Sequence, residues 1–342
     1  MSQHSTVIPA GPGTAYDAAR RRAALIDRSG LGRIIVTGRD RASYLQGLLT
    51  NDIVALRAGQ GCYAAYLTAQ GRMIADMHVY ELGDSILLTT AGDLKDIVQA
   101  RLDEFVFTED VQLRDLSESF AQHGVIGPEA ARVVASLVGI PQSALAAMDQ
   151  HGNLRAQWQG GAAIVTRTSD AGEPGFDIYV ETAHASALKT AVANAGVPLA
   201  DEQVAETIRI ESGVPAFHRD MNEETIPLEA GIESRAISFT KGCYVGQEVI
   251  VRVLHRGHGR VARKLVGLLL EGDRLPASGA AIRADDRDIG AVTSSTWSPA
   301  LKRPIALAYV HRDFVTPATV VTADGIRAEV MALPFVSRQN WS

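Results

Sequence analysis

A set of strands followed by an amphipathic helix occurs twice in the first part of this chain, and that repetition limits the fold more than any other feature. In the first copy Arg33 to Thr37, Cys62 to Ala69, Met73 to Tyr80 and Ser85 to Thr90 read as strands, with Gln70-Gly71 marking a hairpin turn. Asp93 then reads as the cap of a helix with Leu94, Ile97, Val98, Leu102 and Phe105 on one face. In the second copy Phe120 to Ile126, Ala163 to Arg167 and Gly175 to Val180 read as strands. Gly127-Pro128 opens a helix through Leu137, and Thr182 caps an alanine-rich helix that Gly196 ends. Further helices are expected over Tyr16 to Ile26 and from Asp40 to Leu49, the latter stopped by Thr50-Asn51-Asp52. Such short connections do not suit a doubly wound parallel sheet, so the expected class is α+β with antiparallel sheets.

From Lys264 onward helical periods cease. Leu265 to Leu270, Ala281 to Arg283, Ile289 to Ser294, Ile305 to Val310, Ala318 to Val321 and Ile326 to Met331 are short apolar runs between turn residues, the pattern of a small β-barrel or sandwich. A chain of 342 residues suits two or three domains. The expected division is a flexible arm over 1–14, two α+β subdomains over 15–263 and a barrel over 264–342. The arm has neither the apolar core of a signal peptide nor an arginine-rich leader, and no apolar run reaches membrane-spanning length. Two cysteines, Cys62 and Cys243, cannot build a disulfide framework, which suits a reducing cytoplasm. A net charge of -6 argues against stable nucleic-acid binding. The local exception is Arg252, Arg256, Arg260, Arg263 and Lys264, with His255 and His258 among them: either a solvated connection or an anion-binding strip.

The segment Thr240-Lys241-Gly242-Cys243-Tyr244-Val245-Gly246-Gln247-Glu248 stands out chemically. Glycine beside the cysteine lets a partner approach the thiol, and a nearby lysine would favour the reactive thiolate. The alternative is a small buried hydrophobe, the state expected for Cys62 on its strand. A zinc site from Cys243, His255 and His258 matches no usual ligand spacing.

These residues carry a family resemblance. Lys241, Gly242, Cys243, Tyr244, Gly246, Gln247 and Glu248 resemble the signature of YgfZ-type folate-binding proteins, and about Ala15 to Phe335 resembles the wider superfamily of the glycine-cleavage T-protein, an aminomethyltransferase. The resemblance implies three subdomains in a ring around bound tetrahydrofolate, the last a β-barrel. Gly175-Phe-Asp-Ile-Tyr-Val180 is similar to the family's Gly-x-Glu-Ile block, so Asp177 is the expected partner of the pterin. A carboxylate suits the two-donor edge of that ring, although aspartate is one methylene shorter than glutamate. Ile208-Arg209-Ile210-Glu211-Ser212-Gly213 is similar to an Arg-Leu-Glu-Ala-Gly block, which makes Arg209 a folate contact; otherwise Arg209 and Glu211 are an ion pair on one helix. Gly71-Arg-Met-Ile-Ala-Asp-Met77 resembles Gly-Gly-x-x-Asp-Asp-Leu, so Asp76 takes the place of the carboxylate near the reactive folate nitrogen. Thr90 stands where the family has an asparagine, and Asn51 lies in a block shared across the superfamily.

Two functions are implied. The first is an accessory factor that binds tetrahydrofolate and serves iron–sulfur enzymes, tRNA-modifying radical enzymes among them, through the Cys243 thiol and with iron–sulfur assembly or client proteins as partners. The alternative is a tetrahydrofolate-dependent aminomethyltransferase or demethylase, with Asp76 assisting the attacking nitrogen. Thr90, the shortened Asp177 and the cysteine signature favour the first and predict little glycine-cleavage activity.

Overall fold

The computed structural model describes residues 13–255 and 259–337. Most of the expected arm, together with Arg256 and His258, lies outside the described residues. The chain runs through α1 (Thr14–Arg21), β1 (Ala24–Asp27), β2 (Gly32–Thr37), α2 (Arg41–Leu48), β3 (Gly61–Leu67), β4 (Met73–Glu81), β5 (Ile86–Thr90), α3 (Lys95–Asp103) and β6 (Gln112–Asp115). The second copy follows as β7 (Phe120–Ile126), α4 (Ala130–Val138), α5 (Gln142–Ala147), β8 (Asn153–Trp158), β9 (Gly161–Thr168), β10 (Gly175–Glu181) and α6 (Ala185–Asn194). Helices α7 (Glu202–Glu211), α8 (Pro227–Ala230), α9 (Glu233–Ala236) and α10 (Gln247–His255) lead into β11 (Arg263–Leu270), β12 (Ala281–Ala284), β13 (Arg287–Ser298), β14 (Arg303–His311), β15 (Val320–Ala323) and β16 (Ile326–Met331).

The α+β class with antiparallel sheets and a terminal barrel is what the chain adopts. Strands β3-β4-β5-β2-β6 form one five-stranded sheet and β1-β7-β10-β9-β8 a second, while β11-β14-β13-β12-β15-β16 close into a barrel. The first sheet packs Ile34, Val36 and Leu88 against Leu45 of α2 and Val98 and Leu102 of α3. The second packs Val125 and Ile178 against Val134 of α4 and Leu188 of α6. Tyr80, Leu82 and Leu87 of the first sheet meet Tyr179 of the second, so the two sheets share an aromatic seam.

Two expectations fail for simple reasons. The helix expected over Tyr16 to Ile26 stops at Arg21, and Ala24 to Asp27 instead pairs antiparallel with β7. A short continuous apolar run has no period to separate helix from strand. Leu94, Val98 and Leu102 are buried, whereas Ile97 and Phe105 are exposed. Ile97 is rotated about 100° from Val98, and Phe105 lies past the end of α3.

The signature segment clamps the first sheet. The Lys241 ammonium donates to the carbonyls of Gln46 at 2.6 Å, Leu49 at 2.6 Å and Asn51 at 2.8 Å, which uses its three protons at the C-terminal end of α2. It also lies 5.1 Å from the Tyr244 ring. Burial pulls its pKa down to about 8. Lys241 is therefore a helix cap, and its protons are not available to Cys243. Gly246 has φ +83°, and a Cβ there would fall 2.5 Å from the Thr68 carbonyl oxygen. Gly71, in the β3–β4 turn, is as closely packed: its Cβ would fall 2.9 Å from Cβ of Val249. Cys243 is exposed and Cys62 buried, and burial pushes the Cys62 thiol up to about 12.

Gly246→Ala combines a left-handed backbone with a clash against main chain, so it should destabilise the protein by about 2–4 kcal/mol. The measurement is the urea midpoint; an unchanged midpoint would remove the clamp. In the native state iodoacetamide should label Cys243 well before Cys62, and mass spectrometry of partly labelled protein reads the order.

Candidate functional site

A cavity of about 440 Å³ opens where the two sheets approach α7. A volume of this size suits a small organic ligand. Asp76 and Thr90 from the first sheet, Asp177 from the second and Arg209 from α7 all line it. The sequence therefore names four residues, from two neighbouring strands of the first sheet, from the second sheet and from α7, that the fold brings to one chamber. Asn51, Cys243 and the rest of the signature segment do not line it.

Asp177 sits in the middle of β10, opposite Gly124 of β7. A side chain at Gly124 would collide with its carboxylate, the nearest oxygen lying 2.8 Å from the added Cβ. Oδ2 accepts from Arg28 Nη1 at 3.0 Å and from Gln122 Nε2 at 2.7 Å. Oδ1 is buried and has no hydrogen-bond partner among the described residues. A buried carboxyl group with one oxygen satisfied and the other orphaned beside a cavity is a costly arrangement unless a donor arrives there. Burial works against the charge on Arg28, but Asp177 and Asp170 outweigh it and hold the guanidinium pKa above its usual value.

Asp76 lies on β4 and is partly buried. Its Oδ2 accepts the Tyr63 hydroxyl proton at 2.6 Å. Burial raises its pKa against the pull of Tyr63 and His78. Burial, and then Asp76, keep Tyr63 protonated to well above its usual range, so it remains a donor. Thr90 donates its hydroxyl to the main-chain carbonyl of Asp76 at 2.8 Å, which ties β5 to β4 behind the carboxylate. Asn51 does comparable work outside the cavity, donating to the carbonyls of Tyr63 at 2.9 Å and Arg235 at 3.1 Å.

Arg209 is held on all sides. Nε and Nη2 bind Glu206 at 2.8 and 2.6 Å, Nη1 binds Asp220 at 2.6 Å and the Val214 carbonyl, and Nη2 also reaches Ser294 at 3.1 Å. Its expected helical partner, Glu211, instead binds Arg20. Residues that sequence reasoning missed are Arg28, Gln122, Tyr63, His78 and Asp170. Of these His78 carried a signal, because it is two residues from Asp76 on the same strand.

Residues 10–241 match the GCVT N-terminal domain, and residues 263–337 match the glycine cleavage T-protein C-terminal barrel domain. The chain belongs to the glycine cleavage T-protein family. It is 33% identical over 336 residues to an aminomethyltransferase of Streptomyces coelicolor, covering 94% of this chain and 89% of that protein. It is likewise 33% identical over 332 residues to an aminomethyltransferase of Rubrobacter xylanophilus, covering 97% and 88%. The crystal structure of glycine cleavage system aminomethyltransferase T from Bartonella henselae superposes with a TM-score of 0.85 at 24% identity, covering 95% of this chain and 89% of that one, and shows the same fold. Tetrahydrofolate is the cofactor this family binds.

These relatives overturn the expectation of an iron–sulfur accessory factor. Near-full-length similarity to proteins named aminomethyltransferase favours the alternative reading. The superfamily is established; the YgfZ type, iron–sulfur assembly and tRNA modification are not. The signature segment has an architectural explanation that the sequence alone did not suggest. Among the described residues no helix is long and apolar enough to cross a membrane. The zinc alternative rests on His258 and the His255 side chain, which lie outside the described residues.

His151 packs 5.1 Å from His78, and burial, with repulsion from His78, lowers its pKa from 6.5 to about 4. The unfolded chain therefore binds a proton between these values that the folded chain refuses, so stability falls as pH drops from 6.5 towards 4. His78 has a raised pKa and is charged in both states over most of that window, so its contribution is lost only as pH rises. Denaturant melts from pH 4 to 7 should show a smaller slope for His151→Asn than for wild type; equal slopes would exclude the assignment.

Proposed function

We propose that this chain transfers an aminomethyl group to tetrahydrofolate from a lipoyl carrier protein, and that Asp177 and Asp76 are the two carboxylates that bind and act. The observation that supports this is the unpartnered Oδ1 of Asp177 beside a cavity that also contains Asp76. It fits a pterin, whose amino group and ring N–H supply the missing donors. Arg28 and Gln122 fix the other oxygen, so the carboxylate is oriented before ligand arrives and loses little freedom on binding. Tetrahydrofolate, when bound, supplies the two secondary amine nitrogens that take up the one-carbon unit.

The remaining work belongs to the chain. The reaction converts a carrier R–S–CH₂–NH₂ and the folate diamine into the methylene-bridged folate, ammonia and R–SH. Two N–H protons leave the folate; one ends on the departing ammonia and one on the departing thiol. Asp76 is the group placed to accept such a proton, with Tyr63 holding one carboxylate oxygen so that the other is free for it. Thr90 anchors the Asp76 main chain in place of a ligand contact. Arg209, with its N–H groups already bonded, builds the wall of α7 and sets Glu206 beside the cavity.

Calorimetry with tetrahydrofolate should show binding by wild type, and Asp177→Asn should weaken it by about 2–3 kcal/mol, a roughly 30–150-fold rise in Kd. Asp76→Asn should retain binding but lower ammonia release from an aminomethyl-lipoyl carrier by about 10²-fold or more. Absence of folate binding, or equal turnover by Asp76→Asn, would overturn the reading.

A further inference from the structure

One charged group on the cavity wall has no part in the steps above. His78 stands two residues after Asp76 on β4, so strand alternation puts both side chains on one face. Its Nε2 lies 2.6 Å from Oδ2 of Asp170, a residue that also accepts the Thr168 hydroxyl at 2.7 Å. Its Nδ1 is buried without a hydrogen-bond partner among the described residues. The ring is boxed in by Tyr63 at 5.2 Å, directly opposite it in the β3–β4 register, by Tyr80 at 6.0 Å and by His151 at 5.1 Å. A ring so enclosed, with a carboxylate on one nitrogen, has a fixed orientation. We propose that His78, locked to Asp170, is a positioning residue that keeps Asp76 ionised and ready to accept a proton.

The charges around the pair support this assignment. His78 faces the carboxyl groups of Asp170 and Asp76, with Arg28 acting as an opposing cation and Tyr63, Tyr80 and His151 as neutral neighbours. Asp76 faces Tyr63, His78 and Asp170. Arg28 is paired with Asp177 at 3.0 Å, and the Arg235 guanidinium sits 5.1 Å over the Tyr63 ring. His78 is the cation whose charge acts on Asp76 directly, and Arg235, over the Tyr63 ring, is a second cation on the cavity wall. Burial disfavours charge on both groups. On His78 it is outweighed by the Asp170 ion pair and hydrogen bond, with help from Asp76, so the imidazolium persists above its usual range. On Asp76 burial wins, and the His78 charge limits how far the carboxyl rises. Removing that charge leaves a carboxyl that binds its proton at higher pH and cannot take one from a substrate nitrogen near neutrality. Asp170 matters because without it an enclosed imidazole sheds its proton.

The inference rests on the proposed role of Asp76, but its test does not need turnover. Full-length, ligand-free protein labelled with ¹³C at aspartate carboxyl groups is titrated by NMR, with Asp76→Asn assigning the resonance. His78→Gln should raise the Asp76 midpoint by about one pH unit or more, Asp170→Asn should raise it by less because the Asp170 anion that also lifts Asp76 is lost with the His78 charge, and His78→Lys, which restores a cation, should bring it back towards wild type. If His78→Gln folds poorly, Asp170→Asn leaves the ring in place and reads a smaller shift in the same direction. In the aminomethyl assay the acidic limb of kcat should move with the NMR midpoint while KM for tetrahydrofolate stays within about threefold. An Asp76 midpoint unchanged in both variants overturns the inference. A shifted midpoint in a protein without aminomethyl transfer upholds it and overturns the proposed function instead.

Discussion

The carboxylate of Glu211 is fully buried, and the relative placement of the sheets, α7 and the barrel depends on it. It accepts a hydrogen bond from Arg20 of α1, another from the Tyr16 hydroxyl at 2.7 Å and a third from Ser298 of β13. Arg20 also pairs with Glu173 at 2.5 Å, in the loop before β10. The main-chain oxygen of Glu211 accepts from Phe335 at 2.9 Å and Val336 at 3.1 Å, beyond the barrel. Isolated ions at this depth would cost several kcal/mol each, and deleting one partner of such a pair commonly costs about 3–5 kcal/mol. The network is therefore worth less as net stability than as an instruction: α1, α7 and the barrel fit together in one way only. Arg209, two residues earlier on α7, pairs with Asp220 of the loop that follows the helix, and Asp220 also accepts from Thr293 at 2.5 Å and Ser294 at 2.7 Å of β13. The wall of the cavity is thus fixed from outside, by groups that need never touch a ligand.

The fold was readable wherever periodicity was strong. All six barrel strands fall on expected apolar runs, and Phe120 to Ile126 is recovered residue for residue. What escaped were elements whose pattern is weak by physical necessity. Strands β6 and β8 lie at sheet edges, where one flank is solvated and the residues are largely polar, as in Gln112–Asp115 and Asn153–Trp158. Strand β1 is only four residues long, too short for alternation to speak.

The candidate site was partly readable for a different reason. Asp76, Thr90, Asp177 and Arg209 came from family resemblance, and nothing in local spacing would have gathered them. Asp170 sits in a Ser-Asp-Ala-Gly loop that reads as an ordinary turn, so its pairing with His78 across two sheets was invisible. The misleading residue was Cys243. Its surroundings looked like an activated thiol because Lys241 is two residues away, yet sequence distance says nothing of direction, and the lysine turns inward to cap α2. Glycines that suggested access to a thiol are needed, at Gly246, for main chain to approach main chain.

That close approach has a bearing on how the protein comes to be made. The turn at Gly71 belongs to the hairpin that carries Tyr63, Asp76 and His78, yet the residues that press it into place, Gly246 and Val249, are far later in the chain. A nascent polypeptide emerges N-terminus first, and its early portion collects structure before the rest exists. Here the first sheet emerges with the end of α2 uncapped and its hairpin unsupported, and stays so until the segment around Lys241 has cleared the ribosome. The chamber is consequently among the last features to mature, and a truncated product ending before that segment would carry every acidic residue of the site without the geometry to use them.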